Sequence, residues 1–343
     1  MDKLRWGILG TGNIARQFAA GLRASQRGEL ISVASRARET GHAFAMEYRA
    51  RTLWLGYENL VKDPDVDAVY VSLPNSMHHE WTIAALKAGK HVLCEKPLAT
   101  NAREAEEMFD VAQRCGKVLI EAFMYRSHPL TLAVVDAVKS GAIGELKLIR
   151  TSFCFRTRSI EGNIRFNSDL AGGSLMDVGC YCINFSRLFA GSEPEKIHAT
   201  GILHSSGVDE YAAATLTFPN GIVASMVCGM TVQADNSAYL CGSDGYIEIP
   251  IPWKPPSGEA IFVVSGSVPP RMERPEAGGK PPAPGSAPRD VRRVPSPGEL
   301  YGFEADDFAA AALDGRPPRL SRADSVGNMR VLDEMRRQIG VKF

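Results

Sequence analysis

The sequence predicts an α/β protein with an N-terminal, doubly wound parallel sheet and a C-terminal α+β part that contains a large, mainly antiparallel, open-faced sheet. Three observations support this fold class. Short apolar strands alternate with helices over the first third of the chain, a glycine turn follows the first strand, and hairpin signals join a later run of strands. The 343 residues exceed what one hydrophobic core usually organises, so two domains are expected.

The first domain is predicted at residues 1–122. Its strands are apolar on successive residues, as strands buried on both faces must be, and they lie at 5–9, 30–35, 67–73, 91–94 and 117–122. The stretches between them have helical spacing, and the last helix is expected to begin with Thr100 or Asn101 as its cap and to end at Gly116. Consecutive βα units of this kind form an open, twisted sheet with helices on both faces.

The second domain is predicted at residues 123–343. The segments "FPNG" (218–221) and "GSDG" (242–245) carry the Asn-Gly and Asp-Gly signals of tight hairpins, and a helix is expected at 173–190. Residues 268–298 are rich in Pro, Gly and Ser, which predicts a long mobile loop. Two helices are expected at the end of the chain, and one of them can return to pack against the first domain.

Composition argues against several classes of protein. Lys plus Arg equals Asp plus Glu, at 39 each, so neither nucleic acid nor an anionic membrane is expected as a partner. The N-terminus lacks the basic and apolar segments of a secretory leader, and seven irregularly spaced cysteines are typical of reduced thiols. A cytoplasmic protein is therefore expected. No metal site is expected, since Cys180 and Cys182 have the wrong spacing for zinc.

A phosphate-binding turn is predicted in "GILGTGNIA", directly after the first strand. Gly10 permits a tight turn, Gly12 allows the backbone to approach a pyrophosphate, and the small Ala15 lets the helix pack on the strand. Thr11, Asn13 and Ile14 complete this turn, where free amide groups at the helix N-terminus supply hydrogen-bond donors. At the first βα junction, the pattern indicates a Rossmann dinucleotide site rather than a simple turn.

The end of the second strand favours NADP over NAD. An NAD site places an acid there for the ribose 2′-hydroxyl, whereas this strand ends in Ser35 and Arg36. A hydroxyl and a guanidinium suit a 2′-phosphate. The alternative is that the arginine belongs only to a solvated helix start.

The end of the next long strand adds further candidate cofactor contacts. Leu73, Pro74, Asn75 and His78 lie at the carboxyl end of this strand, where open α/β sheets bind ligands. The competing interpretation is that Asn75 caps a helix, and both can hold.

Two further groups of residues predict catalysis. Glu95 and Lys96, in "HVLCEKPLAT", leave a strand on the same ligand edge as the glycine turn. Asp177 and Tyr181 are four residues apart on a predicted helix and so share a face. Core packing of the tyrosine and capping by the aspartate remain the alternative.

The chain resembles the glucose–fructose oxidoreductase / inositol dehydrogenase / rhizopine catabolism (Gfo/Idh/MocA) family. The resemblance is carried by "GILGTGNIA", by "VDAVYVSLPNSMHHEWTIAALKAGKHVLCEKPLA", by "EAFMYRSHP" and by "GGSLMDVGCYCINFSRL". It implies a nicotinamide-dependent sugar or polyol oxidoreductase. It also implies that Lys96 is the catalytic lysine and that Asp177 and Tyr181 complete the motif, as in the branch with D-xylose dehydrogenases and dimeric dihydrodiol dehydrogenases.

The resemblance further implies NADP as the cofactor, a homodimer or dimer of dimers, and contacts from Arg165 and Tyr301 to the cofactor. The hypothesis for the chemistry makes Tyr181 the general base toward a sugar hydroxyl, with Lys96 either favouring its phenolate form or relaying the proton. Whether Glu95 binds the cofactor or only holds Lys96 is left open.

Four residues are predicted on the substrate side of the site: Tyr125, Arg126, His128 and Phe155. A non-catalytic dinucleotide sensor and an NAD-dependent glycosidase of the same fold are the competing functions. Retention of both Lys96 and Tyr181 argues against the sensor.

Overall fold

The computed structural model describes residues 2–266 and 289–343. Its first sheet has six strands in the order β3-β2-β1-β4-β5-β6, and every neighbouring pair is parallel. The strand order reverses between β1 and β4, which is the point where doubly wound sheets open a crevice at their carboxyl edge. The elements of this part are β1 (Leu4–Leu9), α1 (Asn13–Leu22), β2 (Gly28–Ser35), α2 (Arg38–Tyr48), β3 (Thr52–Leu55), α3 (Tyr57–Val61), β4 (Ala68–Val71), α4 (His78–Lys87), β5 (His91–Glu95), α5 (Ala102–Cys115) and β6 (Leu119–Ala122).

The second sheet has eight strands in the order β14-β13-β12-β11-β7-β10-β9-β8. All of its neighbours are antiparallel except β7 and β10, which are parallel. The remaining elements are α6 (Pro129–Lys139), β7 (Leu146–Cys154), α7 (Cys180–Ala190), β8 (Lys196–Leu203), β9 (Asp209–Thr217), β10 (Val223–Gly229), β11 (Ala238–Gly242), β12 (Gly245–Ile249), β13 (Gly258–Gly266), β14 (Arg289–Ser296), α8 (Leu300–Asp314) and α9 (Arg322–Gln338). The two sheets confirm the predicted fold class.

Local sequence signals were reliable where a turn or a cap decides the structure. Both predicted hairpins form, between β9 and β10 and between β11 and β12. Asn101 caps α5, because its side chain accepts a hydrogen bond from the amide of Glu104 at 3.0 Å. The predicted helix at 173–190 begins as a wide turn at Leu175–Gly179 and continues as α7.

Two sequence predictions need correction. β3 was missed, because this edge strand has only four residues, of which three are half-buried and one is exposed, so its apolar run is short. The prediction of a loop at 268–298 is wrong for the last part of that range. There Arg289–Ser296 forms β14, and the whole of β14 pairs with β13. The rest of that prediction, at 268–288, lies outside the described residues. Pro295 is tolerated in β14 because this strand lies at the edge of the sheet.

The C-terminal helices tie the two sheets together. α8 returns to the first sheet and packs beside α1, where Phe308 lies 4.9 Å from Trp6 between ring centroids. α9 packs against α5 of the first part and α7 of the second. The buried Arg336 of α9 donates to the carbonyl of Thr100 at 2.7 Å, which fixes the turn that follows β5. Within the described ranges, no helix combines the length and apolar character that crossing a bilayer requires.

Phe308→Ala should destabilise the protein because it empties a buried site beneath the returning helix. Phe308 is 1% exposed, and such truncations cost about 3–5 kcal/mol. Leu313→Ala in the same helix is the matched control, since Leu313 is 41% exposed and its loss should cost less than about 1 kcal/mol. Chemical denaturation measures both free energies of unfolding. Similar losses in the two variants would contradict this packing.

Candidate active site

A cavity of about 980 Å³ lies at the carboxyl edge of the first sheet and extends toward the second sheet. All the residues predicted for the cofactor and for the catalytic group line it. They are Gly10, Thr11, Gly12, Asn13, Ile14, Ser35, Arg36, Leu73, Pro74, Asn75, His78, Glu95, Lys96, Arg165, Asp177, Tyr181 and Tyr301. Residues from distant parts of the chain therefore meet around one space.

The glycine turn has the geometry that a diphosphate needs. Gly10 has φ +99°, and a side chain there would also lie 3.0 Å from the carbonyl oxygen of Ser72. Around Gly12 a side-chain carbon would meet no atom within 4 Å, so the backbone is open to the cavity. No side chain caps the start of α1, which leaves its first amide groups free to donate. The residues present therefore fit the phosphates of a dinucleotide.

The end of β2 presents a hydroxyl and a guanidinium to the same cavity. Ser35 is buried, and its Oγ accepts from the amide of Ala37 at 3.2 Å and lies 3.1 Å from the hydroxyl of Thr40. Arg36 is exposed at the cavity wall. Tyr57 also lines this end, and the adjacent Arg36 lowers the pKa of its phenol, but burial outweighs this effect and raises it.

At the end of β4, two predicted residues have structural partners. The amide Nδ2 of Asn75 donates to the carbonyl of Ala171 at 2.8 Å, which links the first sheet to the loop before α7. The His78 ring is fully buried, and each of its nitrogens lies 2.9 Å from a backbone carbonyl oxygen, of Leu73 and of Pro97. His78 thus holds two turns of the cavity wall together, and burial lowers its pKa.

Glu95 lies beneath the cavity floor rather than free in it. Its carboxylate accepts from the hydroxyl of Tyr70 and from the backbone amide of Lys96. Burial raises its pKa. Glu304 of α8 is close enough to act on it and is itself only 5% exposed, with neither carboxyl oxygen hydrogen-bonded within the described residues. Burial and the nearby Glu95 raise the pKa of Glu304 well above its usual value.

Lys96 and Arg165 share the carboxylate of Asp177. Lys96 Nζ donates to Asp177 Oδ1 at 3.2 Å and to its carbonyl at 2.7 Å, while Arg165 Nε donates to Oδ2 at 2.6 Å. Burial opposes ionisation of Asp177, but Lys96 and Arg165 outweigh it and lower its pKa. For Lys96 burial favours the neutral amine, but Asp177 outweighs it and raises the pKa of the ammonium.

Tyr181 forms the apolar wall beside this group. Its ring is 4% exposed and its centroid lies 5.1 Å from Lys96 Nζ, while its hydroxyl donates to the sulfur of Met124 at 3.3 Å. Burial and the nearby Glu95 raise the pKa of the phenol well above its usual value. In this arrangement the Lys96 ammonium binds Asp177. The hypothesis that Lys96 favours the phenolate of Tyr181 or relays its proton stays a prediction.

The predicted substrate residues divide into two groups. Phe155 lines the cavity, with the guanidinium of Arg165 5.8 Å from its ring centroid. Tyr125, Arg126 and His128 do not line it, which corrects the sequence prediction. Tyr125 is fully buried and donates to Asn184 Oδ1 at 2.6 Å, as does Arg126 at 3.0 Å.

His128 caps α6 by accepting from the amide of Leu130 at 3.1 Å. Because Tyr125, Arg126 and His128 follow β6, the sequence predicted that they lie at the ligand edge of the first sheet. Instead, this segment turns into the core between the two sheets.

Several cavity residues were missed. Phe153 could have been predicted from the sequence. It lies in β7, two residues before Phe155, and residues two apart in an extended chain point to the same face. Gln17 lies one helical turn beyond Asn13 on α1. Lys254 lies in a proline-rich connection between β12 and β13, where no periodicity predicts the direction of a side chain.

A glycine turn for a diphosphate, with a lysine, a carboxylate and a phenol at the far side of the same cavity, defines a nicotinamide-dependent oxidoreductase site. The chain belongs to the Gfo/Idh/MocA family. The profile described as "Oxidoreductase family, NAD-binding Rossmann fold" matches residues 4–123, and the "GFO/IDH/MocA C-terminal domain" matches residues 131–248.

Relatives extend over nearly the full chain. A trans-1,2-dihydrobenzene-1,2-diol dehydrogenase of Mus musculus is 34% identical and covers 99% of this chain and 98% of its own. A D-xylose 1-dehydrogenase (NADP(+)) of Haloferax volcanii is 34% identical, with 96% and 95% covered.

Solved structures agree with these relatives. A 3-ketoreductase from Actinomadura kijaniata, solved with NADP and TDP-benzene, has TM-score 0.84 and 31% identity, with 98% of each chain covered. An aldose-aldose oxidoreductase from Caulobacter crescentus has TM-score 0.84 and 27% identity, with 98% of this chain and 97% of its own covered.

Asp177→Asn should lower the pKa of the Lys96 ammonium. The amide keeps the size of the side chain but removes the charge that opposes burial most strongly, so burial is opposed only by the weaker effects of groups such as Glu95. NMR titration of isotope-labelled lysine measures this directly, with Lys96→Met assigning the signal. Asp169→Asn, an exposed change in the loop before α7, is the control. An unchanged lysine pKa in Asp177→Asn would show that the carboxylate does not hold the charge.

Proposed function

We propose that this protein is an NADP(H)-dependent oxidoreductase that interconverts a hydroxyl and a carbonyl group of a sugar, a polyol or a related diol. One observation carries the proposal: Lys96, Asp177 and Tyr181 converge in the cavity that also contains the glycine turn. The relatives that act on D-xylose and on a dihydrodiol, and the ketoreductase and aldose oxidoreductase of similar structure, support this substrate class.

The choice of NADP rests on the end of β2. Arg36 and the hydroxyls of Ser35 and Thr40 line the cavity where an acid would be expected for NAD. The xylose dehydrogenase relative uses NADP, and the 3-ketoreductase was solved with it. When bound, the nicotinamide accepts the hydride from the carbinol carbon or returns it to the carbonyl carbon.

We assign proton transfer to and from the substrate oxygen to Tyr181, beside which Lys96 lies. A buried phenol that stays protonated is suited to donate to the carbonyl oxygen of a substrate as the carbonyl carbon receives the hydride. In the oxidative direction the phenol would first release its own proton to solvent, and the phenolate would then accept the alcohol proton as the hydride leaves the carbinol carbon. Asp177 keeps Lys96 charged and in place, so that the ammonium polarises the same oxygen.

Lys96→Met and Tyr181→Phe should each lower turnover of a sugar or polyol substrate by about 100-fold or more, because each removes a group that transfers or stabilises the proton. NADPH affinity, measured by fluorescence titration, should stay nearly unchanged. Lys87→Met, at an exposed position, and Tyr48→Phe, at a half-buried position of α2, are the matched controls, since neither residue lines the cavity. Equal turnover in either site variant would exclude that residue from the chemistry.

Arg36→Ala should weaken NADPH binding by about 10-fold or more and leave NADH binding almost unaltered, since only NADPH carries the 2′-phosphate. The change removes a charge-assisted hydrogen-bond donor at the cavity wall. Arg38→Ala is the control, because Arg38 is exposed in α2 and does not line the cavity. Calorimetry with NADPH and with NADH measures the two affinities. Equal losses of affinity for NADPH and NADH would assign Arg36 another role.

A panel of sugars, polyols and keto-sugars tests the proposed function as a whole. Turnover coupled to NADPH or NADP⁺ absorbance is the expected result. Tight NADPH binding without turnover of any carbonyl or alcohol would instead favour a dinucleotide-sensing regulator.

We also propose a homodimer or dimer of dimers that pairs through the outer face of the second sheet, in the cytoplasm. Val227 and Tyr211 are 41% and 40% exposed on that face, which supports pairing, and light scattering measures the mass. All seven cysteines are free thiols, which supports a reducing compartment. The division into domains at 1–122 and 123–343 is likewise a proposal.

A further inference from the structure

Lys254 is held at the cavity by the connection between β12 and β13 of the second sheet. The preceding Trp253 is 3% exposed, and its indole nitrogen donates to the carbonyl of Ser152 at 2.8 Å. The flanking residues Pro252 and Pro255 are buried, and proline restricts the backbone around them. The backbone of Lys254 is thus fixed between three anchored residues, although no regular strand or helix includes it.

The Lys254 side chain lines the same cavity as Lys96 and Tyr181 and is exposed at its rim. The Trp253 ring stacks on Phe153 with 5.6 Å between centroids and lies 6.0 Å from the Tyr181 ring. The backbone from which the Lys254 side chain extends is therefore anchored next to the aromatic wall of the proposed reaction centre. Desolvation by the surrounding protein and repulsion from Lys96 lower its pKa, whereas Glu95 and Asp177 act in the opposite direction.

The carboxylates near Lys254 already have closer partners. Both oxygens of Asp177 bind cations, Lys96 and Arg165. Glu95 accepts from Tyr70 and from the amide of Lys96. Across residues 2–266 and 289–343, no carboxylate oxygen lies within 4.0 Å of the Lys254 ammonium. The cavity thus contains a positive group whose charge is not compensated by a close partner in the described part of the chain.

Lys254 lies on the side of the cavity where the reaction centre is proposed. The preceding Trp253 packs against Tyr181, and the charged groups that act on Lys254 are Lys96, Glu95, Asp177 and Arg165. The phosphates of the cofactor are expected elsewhere, at the glycine turn and at the end of β2. The substrate is therefore the ligand from which an anionic group for Lys254 is sought.

We propose that Lys254 binds an anionic oxygen group of the substrate, so that the enzyme prefers a sugar that carries a carboxylate or a phosphate over its neutral counterpart. A compact ammonium suits either group. This inference rests on the proposed function and specifies the substrate class of that site.

The test compares three sugars that differ only at C6: D-glucose, D-glucuronate and D-glucose 6-phosphate. Calorimetry measures their binding to the NADPH-loaded protein, and NADP⁺ reduction measures turnover. At least one anion should bind the unaltered protein about 10-fold or more tightly than glucose. The two anions distinguish a carboxylate site from a phosphate site. In Lys254→Met this preference should fall by about 10- to 100-fold, the effect expected for the loss of a charged hydrogen bond.

Two further variants separate recognition from folding. Lys254→Arg keeps the charge and should retain most of the preference, whereas Lys87→Met removes a lysine outside the cavity and should leave the preference unaltered. The inference is overturned if neither anion binds more tightly than glucose, or if the preference survives in Lys254→Met. Turnover of neutral sugars without any anion preference would refute the role of Lys254 and leave the proposed function intact. Absence of turnover with every alcohol and carbonyl tested would refute the proposed function.

Discussion

The carboxylate of Asp177 is the interaction on which the geometry of the site depends. It receives Lys96 from the end of β5 and Arg165 from the loop after β7, while its own backbone lies in the turn that leads into α7. The side chains of Asp177 and Lys96 are 16% and 13% exposed, so their contact forms largely out of water, whereas Arg165 approaches from the solvent side. Removing one partner from such a group leaves a buried charge without compensation, which is far costlier than the loss of a surface pair. Three chain segments thus hold their relative positions around one ionised group.

The environment shifts the pKa values of the acidic groups of this site in opposite directions. Asp177, between two cations, has a lowered pKa, whereas burial raises the pKa of Glu95, Glu304 and Tyr181. The contrast has a physical cause, because Asp177 is the only one of the four that is bound by two cationic side chains. In the proposed mechanism, the neutral phenol beside the charged lysine donates the proton.

Sequence patterns identified the parts of the site that depend on local geometry. The glycine turn, the residues at the ends of β2 and β4, and the Asp177/Tyr181 spacing are each set within a few residues, and parallel strands bring their carboxyl ends to one edge. The segment after β6 was predicted incorrectly because its direction depends on tertiary packing. Tyr125 and Arg126 donate hydrogen bonds to Asn184 of α7 and do not line the cavity. Likewise β14 pairs with a strand on the other side of residues 267–288, and such pairing leaves no local signal in a proline-rich stretch.

The amino-acid sequence alone predicted the fold class, the dinucleotide turn and the preference for NADP, because these follow from backbone geometry and side-chain chemistry over short distances. The roles proposed for Lys96, Asp177 and Tyr181 came from the resemblance to the family. Only the tertiary structure decided how these groups are paired. It showed that Lys96 binds Asp177 rather than the phenol, that Glu95 is held by Tyr70, and that Lys254 reaches the cavity from the second sheet. Charge states and side-chain partners depend on burial and on residues far away in the chain, and these are set when the two sheets pack together.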